Sequence, residues 1–199
     1  MTFDTDTDID RQLGERLKAA RQRLGLTLDD LARRTKVSRA MISRVERGES
    51  SPTAALLVRL GSGLGLSLSA LLGAGEGAGP LARREAQAVW RDPASGYVRR
   101  NISPRGTGSG FEIVEVELPG GTEVRLDMAA GAPALDQQIW VLAGRLDLTV
   151  DGVGHELAGG DCLQMHLREA IVYRNPAAEA VRYAVILAAG SGSFPGHAA

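Results

Sequence analysis

Residues 27–47 read TLDDLARRTKVSRAMISRVER, and the spacing of their apolar side chains decides how the front of the chain folds. Leu28, Leu31 and Ala32 recur at helical intervals, and after a break at Lys36-Val37-Ser38 a second stripe runs through Ile42 and Val45. Thr27 and Ser38 stand where a helix needs an N-cap, and Asp30 is placed to close a capping box on Thr27. Two short helices joined by so tight a turn make a helix-turn-helix unit. The second helix turns Ile42 and Val45 inward and leaves Arg39, Ala40, Ser43 and Arg44 on its polar side. Such a face suits the DNA major groove, because the arginine fork matches the two acceptors on a guanine edge.

Working outward, residues 9–72 resemble the DNA-binding domain of Cro/CI-type (XRE-family) repressors. The motifs that carry the resemblance are LTLDDLARRTKVS at 26–38, ISRVERG at 42–48 and the SPT at 51–53 that opens the next helix. Ala32 and Ile42 fall where the family places a small residue and a branched one, so that the helices cross closely. Lys36 departs from the pattern, standing at a turn position usually held by glycine. A left-handed conformation there costs a non-glycine residue on the order of 1 kcal/mol. The resemblance implies a five-helix, lambda-repressor-like bundle that binds double-stranded DNA. Arg39 and Arg44 are the expected readers of base edges, with Ala40 against a thymine methyl and Ser43 beside it. Thr27, Arg47 and the helix starts at Leu28 and Ser38 are the expected phosphate contacts.

Charge agrees with that division. Residues 9–72 carry 12 Lys and Arg against 6 Asp and Glu, whereas residues 73–199 carry 11 against 15. The front suits a polyanion and the back does not. A single cysteine, Cys162, excludes an internal disulfide, and its apolar neighbour Leu163 suggests an inert thiol. No apolar run reaches the length of a membrane span, and the cytoplasm is the expected compartment.

Taken in order, residues 1–8 form an expected disordered acidic arm, and a helix follows from Ile9 with Leu13, Leu17, Ala20 and Leu24 along one side. Arg11, Arg16, Lys18, Arg21 and Arg23 fall on the other. Leu56, Leu57, Leu60 and Leu64 mark a fourth helix and Leu68, Leu71 and Leu72 a fifth. Residues 73–84 begin GAGEGAGP and read as a flexible linker that lets the head adjust to its target. From residue 85 the pattern changes to short runs of period two, giving ten expected strands between 86 and 188 punctuated by Pro119-Gly120-Gly121, Asp151-Gly152 and Gly159-Gly160-Asp161. Strands so short and regular suggest an antiparallel sandwich or barrel. The fold class is α+β in two domains, the second spanning 85–190, with a flexible tail at 191–199.

GRLDLTVDGVGHELAGGDCLQM at 144–165, closing with YRNP at 173–176, resembles the conserved half of a cupin, a double-stranded β-helix or jelly-roll barrel. Many cupins hold a metal on three histidines and a glutamate. By motif position those ligands fall at Gln137, within Ala-Gly-Ala-Pro at 130–133, and at Ile171, none of them a good donor. His155, His166 and His197 lie elsewhere. No metal, no cofactor and no catalytic residue is therefore expected. What remains is a barrel mouth lined by Gln137, Ile139, Met165, Ile171 and Tyr173, suited to a small-molecule effector or else filled by its own side chains. Trp140, one position out of phase with Gln137, is expected outside the barrel.

The two resemblances together imply a sequence-specific transcriptional regulator, a repressor in its expected form, whose metal-free cupin domain forms a homodimer and takes a small-molecule effector. The competing readings are a cupin metalloenzyme fused to a DNA-binding head, and an antitoxin-like binder with no effector.

Overall fold

The computed structural model describes residues 5–72, 79–104 and 107–188, with side chains from Ile9 onward. Five helices come first: α1 (Thr5–Arg23), α2 (Leu28–Thr35), α3 (Arg39–Glu46), α4 (Ala54–Gly63) and α5 (Leu68–Leu72). The first begins four residues ahead of the expected Ile9, inside the segment 1–8 expected as a disordered arm; residues 1–4 lie outside the described residues. Aspartates in a first turn favour a helix start, because they complement the positive end of its dipole. Leu13, Leu17, Leu31, Ile42, Val45, Leu57, Leu60 and Leu71 build the helical core. Leu24, expected inside, is 51 % exposed just past the end of the helix at Arg23.

Small residues set how closely these helices meet. A Cβ at Gly14 would lie 2.3 Å from the Val45 carbonyl oxygen, so α1 and α3 touch backbone to backbone. Gly48 closes α3 with φ +67°, a left-handed C-terminal stop that also lies against Arg11. Lys36 adopts φ 57° at the end of α2, the strained turn its position requires.

After a 3₁₀ turn at Arg84–Ala86 come ten strands: β1 (Val89–Arg91), β2 (Val98–Asn101), β3 (Phe111–Leu118), β4 (Glu123–Asp127), β5 (Leu135–Ala143), β6 (Arg145–Val150), β7 (Val153–Ala158), β8 (Cys162–Leu167), β9 (Ala170–Arg174) and β10 (Val181–Ala188). All pairings are antiparallel, in a six-stranded sheet of order β1-β2-β3-β10-β5-β8 and a four-stranded sheet of order β4-β9-β6-β7. The inner faces pack Val114, Val116, Ile139, Val141, Leu146, Leu148 and Val185 into a cupin-like barrel. The alternation of buried and exposed residues along β5 is the period-two pattern read from the sequence.

Sequence alone suggests a freely hung head, but the structure seats it on the barrel. Asp92 Oδ1 accepts the Ala54 amide at 2.8 Å, so a barrel residue helps to cap α4. Ser62 Oγ accepts the Ala129 amide at 2.8 Å, and Arg59 meets Asp127 at 2.8 Å. Arg99 of β2 donates to Ser69 Oγ of α5 at 2.6 Å. The glycines of the linker at 73–78, and the tail with His197, lie outside the described residues.

Candidate nucleic-acid interface and barrel cavity

The local chemistry of the helix-turn-helix is as its sequence suggests. Thr27 Oγ1 accepts the Asp30 amide at 3.1 Å while the Asp30 carboxylate accepts the Thr27 amide at 2.9 Å. That reciprocal cap holds the Asp30 carboxyl below its usual range, the Thr27 hydroxyl contributing most and the Thr27 amide next. Ser38 Oγ accepts the Met41 amide at 3.2 Å and starts α3.

On α3, Arg39, Ala40 and Arg44 are exposed and Ser43 is half-buried, while Ile42 and Val45 are sealed beneath them. α3 packs on α1 and α2, whereas α4 and α5 meet the barrel, so the polar face of α3 is clear of the second domain. Arg39 stands 3.7 Å from Asp29, a loose exposed contact, and Arg44 reaches Met41 Sδ at 3.8 Å. Thr27, Ser38 and Arg47 are exposed at the rim, with Leu28 half-buried. Arg47 is engaged: its Nε and Nη2 each donate to the Glu49 carboxylate at 2.6 Å, and Nη1 to Ser43 Oγ.

Two features were missed by reading the sequence. Arg21, placed there on the solvent side of α1, is buried: Nε and Nη2 donate to Glu46 at 2.6 and 2.7 Å, and Nη1 to the Leu26 carbonyl at 2.8 Å. This chelated pair pins α1 to the end of α3. Glu49 is the other, a carboxylate held low by Arg47 and set beside the candidate DNA contacts. The i, i+2 spacing of Arg47 and Glu49 was the signal available for it.

At the barrel, a cavity of about 50 Å³ lies beneath α4 and α5. Gln137, Ile171 and Tyr173 line it, together with Tyr97, Arg99, Leu126, Tyr183 and Leu187. Ile139 and Met165 are buried but do not line it; Ile139 sits deeper along β5, and the Met165 sulfur accepts from Gln137 Nε2 at 3.4 Å. Ser62, Leu66 and Leu68 of the head form its roof, which no barrel motif could reveal. The rings of Tyr173 and Tyr183 stack 5.5 Å apart across the two sheets. Burial pushes both phenols well above their ordinary range, and the neighbouring Tyr97 adds to it.

Among the described residues no cluster of His, Cys, Asp and Glu could hold a metal ion. His166 pairs with Asp136 on the outer face, and Cys162 is exposed there beside Trp140, which is itself 48 % exposed. Cys162 is thus more open than its apolar neighbour suggested. No helix among the described residues is long and apolar enough to cross a membrane.

Residues 17–71 match the helix-turn-helix family HTH_3. Over 176 residues the chain is 28% identical to the HTH-type transcriptional regulator SutR of Escherichia coli, spanning 87% of this chain and 92% of that one. The crystal structure of an HTH_3 family transcriptional regulator from Vibrio cholerae superposes with a TM-score of 0.73 at 29% identity, covering 92% of this chain and 98% of that one.

Proposed function

We propose that this chain, a transcriptional regulator with an XRE-type helix-turn-helix head and a cupin-like barrel, acts as a homodimeric repressor released or engaged by a small molecule. The observation that carries the reading is the outward face of α3, where Arg39, Ala40 and Arg44 are exposed above a sealed apolar side. Two arginine forks set on one helix can each take a guanine edge, worth about 1–3 kcal/mol of discrimination apiece. Thr27, Ser38, the amide of Leu28 and Arg47 ring that face and suit phosphates, which set register without reading sequence.

One such head offers too few contacts for tight, selective binding. A dimer with half-sites about 34–36 Å apart supplies them. Its natural interface is the outer face of the six-stranded sheet, where Trp140 and Leu142 leave apolar surface uncovered. The effector is assigned to the cavity that Gln137, Ile171 and Tyr173 line beneath the head. A ligand held by both domains changes the head's seating, and shifts operator binding insofar as it prefers one seating over the other. Catalysis is not part of this reading, since Ile171 and the run 130–133 offer no donors where a cupin enzyme needs them. Selection of bound duplexes from a random pool tests the core of it: a palindromic motif supports the reading, and the absence of any enriched motif refutes it.

A further inference from the structure

Arg99 is a buried cation with no ion-pair partner among the described residues. β2 points it inward, and it is 6 % exposed. Its Nη1 donates to the Tyr97 phenol oxygen at 3.3 Å and its Nη2 to the Ser69 hydroxyl at 2.6 Å, while Nε is buried with no acceptor at all. Among the described residues no carboxylate pairs with it. Arg21 shows what this fold does elsewhere with a buried guanidinium, which is to chelate it on Glu46. A guanidinium keeps its charge at any pH where proteins fold, and a buried charge without a counter-charge is unfavourable.

The surroundings of Arg99 look built for an anion. Tyr97, Tyr173, Tyr183 and Gln137 line the same cavity. Burial keeps the Tyr173 and Tyr183 phenols protonated, so they can donate hydrogen bonds but cannot repel a negative charge. The remaining wall is apolar, with Leu126, Ile171 and Leu187. Arg99 also borders a second cavity of about 190 Å³ between α1 and β1, but the phenols stand on the barrel side.

We propose that the barrel-mouth cavity binds a small monocarboxylate, its carboxylate on Arg99 and its short aliphatic body on Leu126, Ile171 and Leu187. A cavity of about 50 Å³ limits the body to a few carbons. This names the chemical class of the effector and rests on the effector reading above in that respect. Binding itself is measured without DNA, so failure here and failure of the DNA reading are separable.

The experiment is a thermal-shift titration of the full chain with sodium acetate, propionate and butyrate. The matching primary amides, inorganic phosphate and sodium chloride at equal ionic strength are the controls. At tenfold excess over Kd, at least one carboxylate raises Tm by about 3 °C or more, while its amide does not. In Arg99→Met that shift disappears, and the ligand-free Tm holds or rises because an unpaired buried charge has gone. Should that variant not fold, Arg99→Lys keeps the charge without the fork and weakens affinity about tenfold. A shift that survives either substitution at full size, that the amide reproduces, or that phosphate gives and the carboxylates do not, overturns the proposal. So does the lack of any shift beyond that of chloride.

Discussion

Arg47 is the most tightly held of the expected DNA contacts, and Glu49 is the reason. The two form a fork-to-fork pair at 2.6 Å on the surface, with Ser43 as a third partner. To reach a phosphate, Arg47 must leave Glu49 or carry the carboxylate into a strongly negative field. Glu49→Gln should therefore tighten operator binding severalfold, across all sequences alike, and steepen its salt dependence by about one counter-ion. Fluorescence anisotropy at several salt concentrations measures both; a change confined to one operator position would mean that Glu49 touches a base. The exposure of Arg39 and Arg44 was legible in the sequence, because helical spacing alone puts them opposite Ile42 and Val45. The engagement of Arg47 was not, because exposed pairs depend on rotamers that spacing does not fix.

Within elements, the capping chemistry of α2 and α3 was written in Thr27, Asp30 and Ser38 and formed as expected. The ten strands likewise followed from alternation and from turn pairs such as Asp151-Gly152, where φ of 47° and 89° supply a hairpin turn. The misreading of Arg21 has a physical cause: the sequence groups it with the charged side of α1, and only the arrival of Glu46 from α3 buries that one position while Arg11, Lys18 and Arg23 stay exposed. Because the pair is nearly closed to water, removing one partner strands the other. Arg21→Ala should cost about 3 kcal/mol, seen as a lower urea midpoint with an unchanged slope. Replacing both partners with Met and Leu should recover most of that loss. If Arg21→Ala costs under about 1 kcal/mol, the pair behaves as a surface contact and does not pin α3.

At the scale of the whole molecule, the order head-then-barrel was legible, but the way one sits on the other was not. Asp92 reads as an ordinary loop residue, yet Oδ1 caps α4 through Ala54 while Oδ2 accepts from the Ser95 amide at 2.8 Å. Such joints are made by residues far apart in sequence, and no local pattern announces them. They imply that head and barrel melt together. Asp92→Ala should lower Tm and split a single calorimetric transition into two, with the head melting first. Two transitions already present in the unaltered chain would show that the seam contributes little coupling. If the seam does couple the domains, a ligand under α4 and α5 has a direct route to the head, which a freely hung head would lack.

The central proposal is that α3 reads base pairs as one half of a symmetric dimer. Selecting bound duplexes from a random pool, with the unaltered chain and with Arg44→Ala in parallel, tests this most directly. The unaltered chain should enrich an inverted repeat with half-site centres one helical turn, about 10 bp, or a small multiple of it apart. Arg44→Ala should keep that spacing and lose preference at one symmetric base pair in each half. An identical motif from both proteins, or none from either, would contradict the assignment of α3 as the reading helix.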